Sequence, residues 1–267
     1  WPVLLNVSMP KFMDSSDSSS GCIGIIPARF ASTRFPGKPL TLIQGVSMIE
    51  RVYRQALACK ALHKVVVATD DERILRHVES FGGQAILTGN HHETGTSRLG
   101  EALEILARRN EIFATAINIQ GDEPFIDPAQ IAAVAIQLSR REVNIATLIK
   151  KITKADDINN PNVVKVVTDS LGRALWFSRS PIPYQRNILP EKWGESGNFY
   201  KHIGIYGYRT STLPKLIDLA PAPPELNESL EQLRWLYHGF SIYTNITEYE
   251  TIGIDTPEDL LKLTNNT

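Results

Sequence analysis

The chain predicts an α/β fold in which a mostly parallel sheet lies between two layers of helices. Three observations carry this. Beyond residue 21, short apolar runs alternate with stretches whose apolar residues recur at helical spacing. The residues between them punctuate strands and helices, as Gly82-Gly83 stops a helix and Asp127-Pro128 starts one. The first run, Ile23-Gly24-Ile25-Ile26, is short and continuously apolar, as in a strand buried in a parallel sheet.

The elements follow in order. Residues 1–21 hold the low-complexity stretch Asp14-Ser15-Ser16-Asp17-Ser18-Ser19-Ser20-Gly21 and are set aside as a leader, tag or disordered segment; residues 22–267 are read as one domain. After the first strand, Ile49, Val52, Tyr53 and Ala56 stripe a helix, and Lys64-Val65-Val66-Val67-Ala68-Thr69-Asp70 is a buried strand. Ile74, Leu75 and Val78 mark the next helix and Ala85-Ile86-Leu87-Thr88 the next strand. Leu99, Ala102, Leu103 and Leu106 stripe a third helix before the strand Thr115-Ala116-Ile117-Asn118-Ile119. The middle differs. Val163–Val167 and Ala174–Phe177 flank Asp169-Ser170-Leu171-Gly172, which reads as a β-hairpin inserted in about residues 150–204, a lid or dimer contact. The β-α pattern resumes at His202-Ile203-Gly204-Ile205-Tyr206, continues through a helix around Leu230–Leu236 and Ile242-Tyr243, and ends on a helix opened by Thr256-Pro257.

Composition excludes several classes. With 267 residues and 42% hydrophobic content the chain can bury a large core, and 28 basic against 29 acidic residues imply no nucleic-acid partner. Anion binding must then come from local charge. Cys22 and Cys59 make no disulfide framework and read as small core residues in a reducing, cytoplasmic setting. No stretch approaches the roughly 20 apolar residues that cross a bilayer, so no membrane partner is expected.

Four constellations carry chemistry, and each sits at a strand end, where open α/β sheets bind ligands. In Pro27-Ala28-Arg29-Phe30-Ala31-Ser32-Thr33-Arg34-Phe35-Pro36-Gly37-Lys38-Pro39-Leu40, three cations, two hydroxyls and backbone-fixing prolines follow a buried strand, which suits a triphosphate. It is not a P-loop, because Pro39 follows Lys38 and no glycine precedes Gly37 at the required spacing. Gln120-Gly121-Asp122-Glu123-Pro124 and Ile254-Asp255 each end an apolar run in a carboxylate, as a magnesium ion shared with phosphates would need, although Asp122 alone could equally cap a helix or turn and Asp255 alone reads first as a cap. In His91-His92-Glu93-Thr94-Gly95-Thr96-Ser97-Arg98, Arg98 at a helix start can grip an anion, while adjacent histidines point in different directions without a third ligand, so zinc is not expected. Ser178-Arg179-Ser180, Lys201-His202, Tyr206 and Glu231-Gln232 supply the cations, imidazole, phenol and amide that a polyhydroxylated acidic sugar needs.

These segments, with Val67-Ala68-Thr69-Asp70-Asp71, Ala174–Arg179, His202–Arg209, Leu230–Arg234 and Asp255–Leu260, stand in the order seen in the CMP-Kdo synthetases (3-deoxy-manno-octulosonate cytidylyltransferases), and the resemblance spans about residues 22–263. It implies a three-layer, Rossmann-like nucleotide-diphospho-sugar transferase fold, a homodimer through the hairpin region, and cytidylyl transfer from CTP to Kdo with magnesium, activating Kdo for lipopolysaccharide. By the same resemblance Ala28, Arg29, Ser32, Lys38 and Gln120 hold the nucleotide, and Arg34 neutralises charge on the reacting phosphate. Asp122 and Asp255 would bind Mg2+, while Arg98, Gln120, Arg179, His202, Tyr206, Glu231 and Gln232 face the sugar; Arg34, Lys38, Asp122 and Asp255 form the catalytic set. Relatives usually carry an acid where this chain has Ser97. The competing readings are a cytidylyltransferase for another acidic sugar such as sialic acid, and a catalytically silent nucleotide binder. A nicotinamide oxidoreductase fails for want of G-x-G-x-x-G after the first strand.

Overall fold

The computed structural model describes residues 21–31, 35–250 and 253–264. In chain order its elements are β1 (Cys22–Ala28), α1 (Met48–Ala58), β2 (Lys64–Thr69), α2 (Glu72–Ser80), β3 (Ala85–Leu87), α3 (Gly95–Arg108), β4 (Thr115–Asn118), α4 (Pro128–Leu138), β5 (Ile145–Lys151) and α5 (Ala155–Asn159). There follow β6 (Lys165–Thr168), β7 (Ala174–Ser178), α6 (Trp193–Ser196), β8 (Tyr200–Arg209), α7 (Leu213–Ile217), α8 (Pro223–Glu228), α9 (Gln232–Tyr237), β9 (Ile242–Ile246) and α10 (Pro257–Thr264). These nine strands form one sheet in the order β9-β5-β8-β4-β1-β2-β3, with β6 on β8 and β7 on β6, and a separate two-stranded ribbon pairs Leu42–Ile43 with Val46–Ser47. β1 pairs in parallel with β2 and β4, β2 with β3, and β5 with β9. β8 runs antiparallel to β4, β5 and β6, so the sheet is mixed.

The three layers follow from the alternation of side chains along each strand. Cys22, Ile26 and Ala28 of β1 and Val65 and Val67 of β2 point into a core with Val52 and Tyr53 of α1, Ile74 of α2 and Ile131 and Val134 of α4. Ile23, Ile25, Val66 and Ala68 point the other way, onto Leu99 and Leu106 of α3, Leu213 of α7 and Trp235 of α9. Both faces are covered, which is why these strands read as continuous apolar runs. Cys22 and Cys59 are buried free thiols.

Three departures from the sequence reading matter. The strand β5, Ile145–Lys151, is an additional member of the sheet, between β9 and β8. β8 does not continue the parallel pattern but reverses it over ten residues. The helix read around Leu230–Leu236 begins at Gln232, not Leu230, because Ser229 takes a left-handed φ of 51° that ends α8 and resets the chain.

The hairpin forms as expected: Gly172 takes a φ of 77° in the turn, and Val166 pairs with Phe177. Its root is pinned by the fully buried Lys165, whose ammonium donates to the carbonyls of Asn160 at 2.9 Å, Val163 at 2.6 Å and Arg179 at 2.5 Å. Burial lowers the pKa of this amine.

At the centre, β8 lies so close under α4 that a β-carbon on Gly207 would fall 2.5 Å from Val134 Cγ1 and 2.6 Å from Leu138 Cδ1. Gly207→Ala must push α4 off the sheet, and the expected cost is ~1–3 kcal/mol of overpacking. Chemical denaturation checks this; an unchanged midpoint would show that the contact yields freely.

Candidate active site

Three segments far apart in sequence meet at the carboxyl ends of β1 and β4. Leaving β1, the chain turns back at Gly37, whose φ of 69° would strain any side chain. Its N–H donates to Phe30 O at 3.0 Å, closing the loop. On the outside, the Arg73 guanidinium lies 3.4 Å over the Phe30 ring. The loop delivers Lys38, whose Nζ donates to Asp122 Oδ2 at 2.8 Å and to Asp255 Oδ1 at 3.4 Å.

Each aspartate is brought there for a local reason. A β-carbon at residue 121 would lie 2.8 Å from Pro27 O, so only glycine lets the chain after β4 press against the end of β1. Asp255 follows Ile254, which is buried beside Ile43, Met48, Phe35 and Leu260 and donates its N–H to Asp122 O at 3.0 Å. Capping of the helix start falls to Thr256 and Asp259, which exchange bonds at 3.0 and 3.3 Å, and the Asp255 carboxylate faces Lys38. Two carboxylate oxygens converging on one ammonium define a cation position. Lys38 balances one of the two negative charges, and oxygen-only donors suit a small hard divalent ion whose shell is completed by phosphate and water.

A second group gathers on β8, where its register against β5 shifts between Ile203 and Tyr206. Gln120 Nε2 donates to Gly204 O in this bulge at 2.9 Å, tying the β4 end to it. The Thr147 hydroxyl donates to Ile205 O at 2.7 Å, so its 3.0 Å contact with His202 Nε2 uses the imidazole N–H. That leaves Nδ1 of His202 as an acceptor. Burial pushes the His202 pKa down to about 3, so the ring is neutral. It packs 5.2 Å from both Phe177 and Tyr206 and lines a cavity of about 260 Å3 with Glu123, Lys201 and Glu250. The Tyr206 hydroxyl is buried without a well-aligned hydrogen-bond partner among the described residues. Burial raises the Tyr206 pKa, and the charge of Glu231 adds to the rise. Glu231 accepts from Thr96 Oγ1 at 2.8 Å, and burial raises its own pKa. Gln232, next to it, is buried.

The remaining residues named from the sequence are placed differently. Ala28 is the buried last residue of β1 and Arg29 is exposed just beyond it. Ser32 and Arg34 lie outside the described residues. Arg98 is buried, with its guanidinium donating to Thr88 Oγ1 at 2.7 Å, Gly89 O at 3.2 Å and Asp70 Oδ2 at 3.0 Å. Arg179 donates to Glu228 O at 2.6 Å and Pro161 O at 2.9 Å. The structure therefore gathers Lys38, Asp122 and Asp255 in one cluster, and His202 and Tyr206 in another that Gln120 and Glu231 adjoin. It commits both arginine forks to protein acceptors.

The sequence reading missed Thr147 and Thr96, the hydroxyls that orient His202 and Glu231. A threonine inside an apolar strand run is the one signal it carried for Thr147. The expectation that His91 and His92 point apart without a third ligand is corrected: their ring centroids are 4.2 Å apart, and a carboxylate oxygen of Glu101 on α3 lies within 4.8 Å of a ring nitrogen of each.

The family model for cytidylyltransferases matches residues 23–248. A 3-deoxy-manno-octulosonate cytidylyltransferase of Cytophaga hutchinsonii is 49% identical over 248 residues, covering 92% of this chain and 98% of the relative. Another, of Parabacteroides distasonis, is 49% identical over 244 residues, covering 90% and 95%. Among solved structures, CMP:2-keto-3-deoxy-manno-octonic acid synthetase complexed with CTP is 41% identical with a TM-score of 0.83, covering 92% of this chain and 98% of that one.

The neutral His202 generates a pH dependence of stability. Its folded pKa lies below the unfolded value near 6.5, so the unfolded chain binds the extra proton and stability falls as pH drops below 6.5. We expect ~2–3 kcal/mol to be lost between pH 6.5 and pH 4, and His202→Gln to flatten that part of the curve. Denaturant titrations of both proteins across this range measure the difference; parallel curves would mean the imidazole protonates freely in place.

Proposed function

The chain belongs to the cytidylyltransferase family, among the 3-deoxy-manno-octulosonate cytidylyltransferases, and from that premise we propose that it transfers a cytidylyl group from CTP to Kdo, giving CMP-Kdo and diphosphate. The observation that carries this reading is the convergence of Asp122 and Asp255 on Lys38 at the sheet's carboxyl edge, with an imidazole, phenol and amide site one strand away. The anomeric hydroxyl of Kdo attacks the α-phosphorus, the bond to the β-phosphate oxygen breaks, and diphosphate departs.

Such a reaction asks the protein for position and charge rather than for a covalent intermediate. Lys38 meets charge on the triphosphate as a point cation, with Arg29, Ser32 and Arg34 on the same loop. Asp122 and Asp255 are the residues that would hold Mg2+. When bound there, the ion supplies charge neutralisation on phosphate and a lowered pKa for a coordinated hydroxyl. Gln120 stands between the two sites. His202, neutral and fixed by Thr147, offers an acceptor to a sugar hydroxyl, and Tyr206 and Gln232 offer donors. Glu231 orients a hydroxyl from the far side. Arg98 and Arg179 are held by protein acceptors and leave the sugar to these groups.

Two further parts of the reading concern the setting. Among the described residues no helix is long and apolar enough to cross a membrane, in keeping with cytoplasmic substrates. The hairpin supports a homodimer: Leu175 is 58% and Trp176 38% exposed on β7, an edge strand that a second copy would cover.

Asp122→Asn and Asp255→Asn should each lower kcat on the order of 10²–10³-fold with an unchanged circular dichroism spectrum. Diphosphate release with CTP, Kdo and Mg2+ measures this. Near-normal rates would remove the paired-carboxylate site, and turnover of a sialic acid but not Kdo would reassign the acceptor. Sedimentation checks the homodimer: Trp176→Glu should shift it to monomer, and a wild-type monomer at micromolar concentration would end that reading.

A further inference from the structure

The loop from Gly89 to His92 and the first turns of α3 bring two imidazoles onto one carboxylate. His92 Nε2 lies against Glu101 Oε2, and the Gly89 N–H donates to the same oxygen at 2.8 Å. One ligand atom each from His91, His92 and Glu101 lies within 4.8 Å of the other two. His91 reaches the group because residue 89 is glycine. A β-carbon there would fall 2.5 Å from both Cε1 and Nδ1 of His91 and 3.5 Å from Glu101 Oε2. The glycine thus leaves the space in which the Nδ1 edge of His91 approaches the carboxylate.

The protons on His92 indicate what the group accepts. The Ser97 hydroxyl donates to Thr94 O at 3.0 Å, so its 3.1 Å contact with His92 Nδ1 uses the imidazole N–H. With its Nδ1 edge on Ser97, the ring presents its other nitrogen, Nε2, to Glu101 Oε2. A metal-bound imidazole has this arrangement, with one nitrogen on the ion and the other N–H donated to a fixed oxygen. The His92 side chain is only 7% exposed, so water screens the pair weakly. His91 is exposed, and the group opens on a cavity of about 900 Å3 between α3 and α7, which leaves room for a water ligand.

We propose that His91, His92 and Glu101 bind one divalent ion of the zinc class, at a site separate from the Asp122–Asp255 pair. Two imidazole nitrogens and one carboxylate oxygen with a fourth position open suit Zn2+ and its first-row neighbours, whereas Mg2+ favours oxygen donors throughout. Bonds of about 2.1 Å in a tetrahedral shell place ligand atoms roughly 3.4 Å apart. His92 and Glu101 therefore separate slightly as the ion enters, and His91 closes on it. The bound ion fastens the 89–92 loop to α3, the helix whose Thr96 holds Glu231.

The test is calorimetric titration of the full chain, free of any histidine tag and stripped by chelator, with Zn2+ alone. We expect one saturable site whose affinity His91→Ala and Glu101→Gln each weaken at least tenfold, while Asp122→Asn leaves it unchanged and excess Mg2+ does not compete. His91→Ala removes an exposed side chain, so its thermal melt should match wild type and its CTP turnover under saturating Mg2+ should stay within twofold. A wild-type chain that takes up no Zn2+, or both variants binding as wild type does, would overturn the assignment and leave a protonated His92–Glu101 ion pair.

Discussion

The salt-bridge triangle of Lys38, Asp122 and Asp255 is the constraint on which the rest of the site depends. It joins residues 84 and 217 positions from Lys38, so it exists only if the whole sheet is assembled. Its corners rest on features with no charge: the left-handed turn at Gly37, the missing β-carbon of Gly121 against Pro27 O, and Ile254 buried beside Met48. An isolated ion pair at a surface is worth little because side-chain entropy opposes it. Here the backbone has already met that cost, since Ile254 N–H bonds to Asp122 O whether or not the side chains meet. The ammonium holds the carboxylates close against their mutual repulsion, which keeps a cation position formed before any ligand arrives.

The antiparallel β8 is the second constraint. Inserted between β4 and β5, it places its bulge beside the end of β4, so Gln120 can bond to Gly204 O and the Lys38 cluster meets the His202 group across one strand spacing. A parallel strand would have needed its own crossover helix and would have run its carboxyl end the other way. The hairpin β6–β7 extends the sheet outward from β8, and Lys165 locks its root to three carbonyls. A buried ammonium survives only with such a full set of acceptors.

Much of this was legible in the sequence, and the reasons are local. Continuous apolar runs announced strands covered on both faces, glycine and proline announced their ends, and a carboxylate just past each of two runs announced the acidic pair. Convergence of Asp122 and Asp255 could not be read, because sequence spacing carries no information on which strand ends share an edge. The reversal of β8 was equally hidden: a buried antiparallel strand has the same apolar composition as a parallel one. The His91–His92 group was misread for a subtler reason. Neighbouring side chains diverge in a regular strand or helix, but this loop is irregular, and Gly89 removes the β-carbon that would have kept the His91 ring away. Arg98 and Arg179 looked like anion grips by residue type alone, yet each is spent on internal acceptors fixed by tertiary contacts.

The two halves of the site divide their chemistry by polarity, and burial explains why. At the β1–β4 edge the groups are charged and reachable by solvent, with Lys38 16% and Asp255 51% exposed, so highly charged ligands can exchange there without a stranded ion in a dry interior. On β8 the two buried rings are neutral: His202 has lost its proton to burial, and Tyr206 keeps its own for the same reason. Neutral donors and acceptors recognise hydroxyls by direction, and a mismatched hydroxyl leaves one of them unpaired at a cost of about 1–3 kcal/mol. Under the proposed function, selectivity among sugar hydroxyls falls to the His202–Tyr206 side and charge handling to the Lys38 side. The bulge at Gly204 holds the two one strand apart while leaving each in its own dielectric.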